Sequence, residues 1–193
     1  METKTKNLPE GKMGEWKTLS SEYLTRHSFF TARKDKCETL HGKIIENYYV
    51  VELDLTVCAL GITEDNQAVL INQYRYPIGK TILEIPGGFV DENEDPKDAM
   101  MRELLEETGY EFSHIEYVGE VAANPGVLNN YTKFYLATGG KKTAKQNLDH
   151  NEEIEVVLVP LNELKEMLLN NKIEQALHTS CIFYALLKMG EKF

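Results

Sequence analysis

The order of apolar and polar residues predicts a mixed chain, in which strands surround one central helix and two further helices close the sequence. Alternating, β-branched and aromatic residues favour strands, and apolar residues three and four apart favour helices. The predicted strands cover residues 16–33 (with irregular alternation), 43–55, 56–62, 67–74, 81–84, 114–123, 130–138 and 153–159. The predicted helices cover residues 96–108, 161–169 and 173–189. Residues 1–14 show no such pattern.

The central helix has clear boundary signals. Asp95 is a good N-cap, and Pro96 takes the first helical position, where its missing N–H costs nothing. Gly109 suits a left-handed C-cap. The spacing of the apolar positions predicts one buried stripe, made of Met101, Leu104, Leu105 and Thr108.

Another face of this helix is acidic. Glu103, Glu106 and Glu107 are three and four residues apart. Like charges at this spacing repel by about 0.2–0.5 kcal/mol per pair in water. A hard divalent cation such as Mg²⁺ binds such a group of oxygens, with waters and substrate phosphates completing its shell. The alternative is a solvated acidic helix face without a ligand.

Composition and charge narrow the class of protein. The 193 residues suffice for one sizeable core, and the net charge of −10 argues against a nucleic-acid partner. No stretch approaches the roughly 18 apolar residues of a membrane span, and the polar N-terminus does not resemble a secretory signal. Cys37, Cys58 and Cys181 are widely spaced, which is typical of reduced thiols in a cytoplasmic protein.

The segment 88–110 resembles the Nudix box in order and spacing. The matching residues are Gly88, Glu94, Arg102, Glu103, Leu104, Glu106, Glu107 and Gly109. Tyr110 departs from the pattern, which has an aliphatic residue there, but it lies outside the acidic face. A match of this length argues against the solvated acidic face.

The resemblance implies an α/β fold, the Nudix α/β/α sandwich with a mixed sheet and an N-terminal β extension. We predict a Nudix hydrolase domain at 56–193. Residues 1–55 are predicted to form a β region that dimerises, because they are rich in β-formers yet too long for the core sandwich. The expected assembly is a homodimer.

Features outside the box resemble the ADP-ribose pyrophosphatase and nucleoside-diphosphate-sugar hydrolase branch of the family. They are the QYR sequence at 73–75, the EIPGG sequence at 84–88, and Pro125, fifteen residues after Tyr110. The residues after Pro125 lack an acid that many ADP-ribose enzymes have, and they look more like the enzymes for other sugars. The branch implies a nucleoside diphosphate sugar as substrate and Mg²⁺ (or Mn²⁺) as cofactor.

The resemblance also implies roles for single residues. The implied metal ligands are Gly87, Glu103, Glu107 and Glu152. The implied catalytic residues are Glu152, Glu106 and Arg102, with Arg102 holding the glutamates in position. The implied substrate contacts are Trp16, Arg75, Glu84 and Pro125.

Each of these roles has an alternative. Trp16 is either a base-stacking residue or a core or dimer-interface residue, and Arg75 either contacts phosphate or forms a surface salt bridge. Glu84 is either an acid beside the metals or an exposed polar residue. The acidic loop offers Glu153 as the next choice after Glu152, or is simply solvated.

The expected reaction is metal-assisted hydrolysis of the diphosphate, which for ADP-ribose gives AMP and ribose 5-phosphate. Three alternatives stay open: GDP-mannose as substrate, a dinucleoside polyphosphate or damaged dNTP as substrate, and a non-catalytic nucleotide sensor. Sensors of this fold usually lose box glutamates, whereas this chain keeps all of them. The long N-terminal region argues against the minimal dNTP type.

Overall fold

The chain divides into two compact units, Met1–Leu53 and Asp54–Phe193. The computed structural model describes residues 15–27 and 30–192, so the segment 1–14, predicted to lack regular structure, lies outside the described residues. Within the described residues, no helix is long and apolar enough to cross a membrane.

The N-terminal unit is an antiparallel sheet of three strands in the order β1-β2-β3. The strands are β1 (Lys17–Thr25), β2 (Thr31–Glu38) and β3 (Ile44–Glu52). A charge pair stiffens the sheet: Arg33 Nε donates to both carboxylate oxygens of the buried Asp35, at 2.9 and 3.1 Å. The same guanidinium forms an ion pair with Glu52 on β3.

The second unit contains seven strands and three α-helices. The strands are β4 (Thr56–Thr63), β5 (Gln67–Arg75), β6 (Lys80–Glu84), β7 (Gly87–Phe89), β8 (Tyr110–Val121), β9 (Thr132–Lys142) and β10 (Ile154–Pro160). The helices are α1 (Pro96–Thr108), α2 (Leu161–Leu169) and α3 (Ala176–Lys188), and a 3-10 turn covers Tyr76–Ile78. The strands form one sheet in the order β10-β5-β4-β9-β8, with β6 paired to β5 and β7 paired to β4. Strands β4 and β9 are parallel and the other pairs are antiparallel, so the sheet is mixed.

Strand β4 explains the layering, because both of its faces are buried. Cys58, Leu60 and Ile62 point to one side, into a core that includes residues of α2 and α3. Val57 and Ala59 point to the other side, into a core with residues of α1. Since successive side chains of a strand alternate, one apolar strand separates two helical layers. The predicted α/β/α sandwich with a mixed sheet and a separate N-terminal sheet is confirmed.

The predicted apolar stripe of α1 is wrong in part. Met101 is 47% exposed, whereas its neighbour Met100 is fully buried. The buried side of the helix carries Ala99, Met100, Leu104, Glu107 and Thr108. The stripe is therefore rotated by about one residue, and Glu107 lies within it. The sequence pattern missed this because Glu107 was assigned to an acidic face separate from the apolar stripe.

Several strand and helix boundaries also differ from the prediction, and local contacts explain two of them. Strand β8 begins at Tyr110 rather than residue 114, because the chain reverses at Gly109 and pairs at once with Lys142 of β9. Helix α3 begins at Ala176 rather than residue 173, because the side chain of Gln175 caps it by accepting the N–H groups of the next turn.

The N-terminal unit predicts a homodimer. Five large side chains of its sheet are at least 40% exposed: Leu19, Tyr23, Leu24, Ile44 and Tyr49. A sheet of three strands gains stability from a covered apolar face, and an exposed apolar patch commonly marks an interface. We expect light scattering at micromolar concentration to give twice the 22.1 kDa mass of one chain. A monomeric mass, or full activity after deletion of residues 1–55, would contradict this prediction.

Candidate active site

Helix α1 is a rigid platform for the acidic residues. Asp95 Oδ1 accepts the N–H of Lys97 at 2.8 Å at its start, and Gly109 ends it in the left-handed conformation, with φ at 74°. A side chain at residue 109 would be strained by this φ and would also overlap the carbonyl of Ala144. The predicted caps are confirmed, and they fix the direction in which the glutamates point.

Arg102 gathers the acids at the outer side of α1. Its guanidinium donates to Glu94 at 2.9 and 3.0 Å, to Glu103 at 2.9 Å and to Glu106 at 3.2 Å. Its Nη2 also donates to the carbonyl of Phe89 at 3.2 Å, which ties the helix to strand β7. These contacts fit the predicted positioning role, since the donors of Arg102 are occupied by protein oxygens.

Strand β7 approaches α1 more closely than a side chain would permit. A Cβ atom at Gly88 would overlap the carboxylate of Glu103. The N–H of Gly87 donates to Glu107 Oε2 at 2.9 Å. The glycines therefore place backbone directly against two carboxylates, and this gives a physical reason for the glycine that opens the box.

The loop between β9 and β10 is tied to the end of α1. The carbonyl of Gly109 accepts the N–H groups of residues 143 and 144. Gln146 Nε2 then donates to the carbonyl of Glu107 at 2.7 Å and to that of Ile154 at 3.1 Å. Sequence reasoning missed Gln146, since an isolated glutamine in a polar loop gives no signal. It joins the helix that carries Glu107 to the strand that follows Glu152.

The same loop positions Glu152 rather than Glu153. Glu152 is partly buried, its Oε2 accepts the N–H of Asp149 at 3.1 Å, and Glu153 is exposed. The charge of Glu152 is close enough to raise the pKa values of both Glu103 and Glu107. The charge of Glu152 thus acts from outside the helix on the two carboxylates of α1.

Burial dominates the electrostatics of this group. It raises the pKa of the Glu107 carboxyl well above its usual range, and the charges of Glu103 and Glu152 add to the shift against a smaller opposing effect of the Gly87 N–H. Burial also raises the pKa of Glu103, although Arg102 opposes this. Ionisation of Glu103 and Glu107 therefore costs free energy, and a nearby cation would remove this cost.

The donor set suits a hard divalent cation. Glu103, Glu107 and Glu152 offer carboxylate oxygens, and Mg²⁺ and Mn²⁺ prefer oxygen ligands. Among residues 15–27 and 30–192, no three acidic, histidine or cysteine side chains already converge at the spacing of metal ligands. The physical reason is local: Arg102 holds Glu103, the Gly87 N–H holds Glu107, and the Asp149 N–H holds Glu152.

Arg75 and Glu84 form a pair beside the acidic group. Arg75 donates from Nε and Nη2 to Glu84, with a shortest distance of 2.6 Å. Glu84 has no exposed surface, so it is not the exposed polar residue of the alternative interpretation, while the Arg75 side chain is 41% exposed. The charge of Arg75 also lowers the pKa of Glu107, which places its guanidinium near that carboxylate.

His178 is a site residue that sequence reasoning missed. It is buried in the first turn of α3, and its Nδ1 accepts the N–H of Ile85, next to Glu84, at 3.3 Å. The sequence did contain a signal for His178. It shares one face of α3 with Cys181, Ile182 and Ala185, which are all fully buried. A polar residue on the core face of an apolar helix normally has a specific partner.

Trp16 and Pro125, two predicted substrate contacts, are described by their own surroundings. Trp16 belongs to the N-terminal unit, is 49% exposed, and packs edge-to-face on Tyr48 with ring centroids 5.9 Å apart. Pro125 lies on an exposed turn between β8 and β9, where the carbonyl of Asn124 accepts two backbone N–H groups. Their roles stay predictions.

The comparisons with known proteins agree with the box and with both units. The model of the NUDIX domain matches residues 52–179, and that of the nucleoside diphosphate sugar hydrolase N-terminal domain matches residues 16–51. A methanol dehydrogenase activator of Bacillus methanolicus is 30% identical over 183 residues, covering 94% of this chain and 98% of its own. An ADP-ribose pyrophosphatase of Bacillus subtilis is 27% identical over 175 residues. This match covers 90% of this chain and 94% of that protein.

A solved structure described as an ADP compounds hydrolase has the same fold, with a TM-score of 0.81. It is 20% identical and covers 93% of this chain and 98% of its own.

The raised pKa of Glu107 predicts a stability gain in the metal-free Glu107→Gln variant. A carboxyl whose pKa is raised in the folded state lowers the stability of the fold as the pH rises from its unfolded-state pKa to its folded-state pKa, and the loss is complete above the latter. Below the unfolded-state pKa, about 4.3, the carboxyl has no such effect. We therefore expect a higher Tm than wild type at pH 8, by about 2–4 °C for each kcal/mol gained, and no advantage near pH 4.

Thermal unfolding in the presence of a chelator measures this difference. The matched control is Glu111→Gln, which neutralises an exposed glutamate on β8 and should shift the free energy of unfolding by less than about 0.5 kcal/mol. A Glu107→Gln variant that is less stable than wild type at pH 8 would show that the Glu107 charge is not a burden to the metal-free fold.

Proposed function

We propose that this chain cleaves the diphosphate of ADP-ribose or a related nucleoside diphosphate sugar. The chain belongs to the Nudix family and is a pyrophosphatase of the ADP-ribose and ADP-sugar type. With ADP-ribose the products are AMP and ribose 5-phosphate. The observation that supports this most strongly is the group of ionisable carboxylates, Glu103, Glu107 and Glu152, next to the partly exposed Arg75. A polyanion would bind next to these carboxylates only together with a cation that offsets their negative charge.

Members of this family generally use divalent metals, and we propose Mg²⁺ (or Mn²⁺) here. Glu103, Glu107, Glu152 and the carbonyl of Gly87 are the proposed ligands. A bound ion of this kind neutralises charge on the diphosphate and lowers the pKa of coordinated water. Burial, and after it the charges of neighbouring glutamates, raise the pKa values of Glu103 and Glu107. A bound cation would offset the cost of ionising both groups, which supports this assignment.

The proposed reaction is addition of water to one phosphorus atom. The water oxygen bonds to phosphorus, the bridging P–O bond breaks, and the second phosphate leaves as a monoester. Glu152 accepts the proton of the water. Glu106 is the alternative base, but Arg102 donates to it at 3.2 Å, whereas Glu152 is bonded to a neutral backbone N–H. The contact with Arg102 restrains Glu106, which favours Glu152 as the base.

Arg75 is proposed to bind the diphosphate. Its Nε and Nη2 are directed to Glu84, and the pair holds the planar guanidinium in one orientation. The partly exposed remainder of the fork is suited to a phosphate oxygen. Glu84 thus acts by aiming Arg75, while Trp16 is proposed to stack on the base and Pro125 to contact the sugar side of the substrate.

A second substrate is favoured by one comparison. The relative from Bacillus methanolicus is named as an activator of a dehydrogenase. Dehydrogenases of many kinds use nicotinamide dinucleotides, in which ADP is joined through a diphosphate to a second nucleoside. The same hydrolysis would cleave that bond, so a nicotinamide dinucleotide is the second candidate substrate.

We expect Glu107→Gln to lower kcat by roughly 10³-fold or more, because a proposed metal ligand loses its charge. The variant should stay folded, since glutamine keeps an oxygen that accepts the Gly87 N–H. Steady-state kinetics with saturating Mg²⁺ measure the effect, with Glu111→Gln as the control. Turnover near that of wild type in the folded variant would remove Glu107 from the metal site.

We expect Arg75→Ala to raise KM for a diphosphate substrate by one to two orders of magnitude, which corresponds to the loss of a charge-assisted contact of about 1.5–3 kcal/mol. The substitution also leaves the buried Glu84 unpaired and should lower Tm. The double variant Arg75→Ala with Glu84→Gln should recover Tm but not KM. If the double variant has the KM of wild type, the role of Arg75 is only to form a structural salt bridge with Glu84.

A substrate panel tests the proposed function as a whole. It contains ADP-ribose, GDP-mannose, ADP-glucose, NADH, dinucleoside polyphosphates, ATP and dNTPs with Mg²⁺, scored by phosphate released after phosphatase coupling. We expect the highest kcat/KM for ADP-ribose and a slightly lower value for GDP-mannose, and both should exceed the kcat/KM of any triphosphate. A third phosphate adds charge beside the carboxylates. NADH as the best substrate favours the second candidate, and ATP or a dNTP as the best substrate contradicts both.

A further inference from the structure

The segment between β6 and β7 is held at three successive residues. The N–H of Ile85 donates to His178 Nδ1 at 3.3 Å, and the carbonyl of Pro86 accepts the N–H of Ala59 at 3.1 Å. The N–H of Gly87 donates to Glu107 at 2.9 Å. Two of these anchors come from the sheet and from α1. The anchor at Ile85 comes from α3, a helix to which neither the box nor the branch pattern assigns a role.

The backbone that carries the imidazole is held as well. The side chain of Gln175 accepts the backbone N–H of His178 at 3.3 Å and that of Leu177 at 2.5 Å, which holds the first turn of α3. Because Nδ1 accepts a hydrogen bond, it carries no proton, and the neutral ring bears its proton on Nε2. Burial, aided by the charge of Arg75, lowers the pKa of His178 to about 3, so the acceptor persists at neutral pH.

A neutral ring is what the adjacent ion pair requires. His178 Nδ1 lies 4.0 Å from Glu84 Oε1, which is beyond hydrogen-bond distance. The Glu84 oxygens accept from Arg75 at distances of 2.6–3.2 Å. A charged imidazolium would compete with Arg75 for this carboxylate, whereas the neutral ring leaves Glu84 to orient the guanidinium.

We propose that His178 is a positioning residue: its Nδ1 fixes the Ile85 N–H and thereby sets the backbone that aims Glu84 and Arg75 at the substrate and presents Gly87 to Glu107. This inference rests on the proposed function of Arg75 and deepens it. His178 itself touches neither substrate nor metal. Its effect reaches the reaction through Ile85 and Glu84, so it should be coupled to Arg75 in a double-mutant cycle.

Two substitutions at this residue separate the acceptor from the volume. His178→Asn keeps an oxygen near the place of Nδ1, and His178→Leu fills similar space without an acceptor. We expect the leucine variant to lose roughly tenfold or more in kcat/KM for ADP-ribose, mostly through KM, as misplaced groups do. The asparagine variant should recover most of this loss.

The cycle with Arg75→Ala gives the decisive kinetic result. If His178 acts through Arg75, the double variant His178→Leu with Arg75→Ala should have a KM within about twofold of the KM of Arg75→Ala alone. Leu186→Ala is the control, since it removes a fully buried side chain of α3 two turns further on and should lower Tm without changing KM. Losses that add in the double variant, or an equal rise of KM in Leu186→Ala, would overturn the proposal.

Amide hydrogen exchange of Ile85 and Gly87 gives a readout that does not need activity. The leucine variant should exchange the Ile85 proton at least about tenfold faster than wild type, and the asparagine variant should not. Unchanged protection in the leucine variant would overturn the proposal. If wild type cleaves no nucleoside diphosphate sugar, the proposed function fails separately, and the exchange rates still decide whether His178 holds this segment.

Discussion

Arg102 donates to Glu94, Glu103 and Glu106 at once, and the acidic site depends on this network. Without the guanidinium, three carboxylates on and beside one helix would repel each other and turn toward solvent. Isolated surface ion pairs contribute only about 0–1 kcal/mol, but a single cation shared among several acids and a backbone carbonyl also fixes geometry. Arg102 therefore organises the acids, and Arg75 is the residue proposed to bind phosphate.

Glu107 lies outside this network, on the buried face of α1. Among residues 15–27 and 30–192, Gly87 is its one backbone donor and no cationic side chain is bonded to it. Burial therefore makes its ionised form costly in the metal-free chain. Buried, underneutralised carboxylates of this kind typify sites where a ligand supplies the missing charge. The fold accepts the cost because the rest of α1, with Met100 and Leu104 fully or almost fully buried, packs against the sheet.

Much of this arrangement follows from local sequence rules, and the remainder depends on tertiary contacts. The caps Asp95 and Gly109 and the succession of strands along the chain around one helix were predicted because each has a strong local signal. The rotated face of α1 was not, because a buried glutamate contradicts the polarity pattern. Gln146 and His178 act on residues 39 and 93 positions away, at Glu107 and Ile85. No periodicity within one element reports such contacts.

The most direct test is an anomalous diffraction map from crystals soaked with Mn²⁺ and a non-hydrolysable nucleoside diphosphate sugar. We predict Mn²⁺ peaks within coordination distance of the Glu103 and Glu107 carboxylates, about 2.0–2.3 Å from their oxygens, with diphosphate oxygens completing the shell. The Arg102 contacts to Glu94 and Glu106 should persist. Mn²⁺ bound to the diphosphate but not to either glutamate would contradict the assignment of this helix as the metal site.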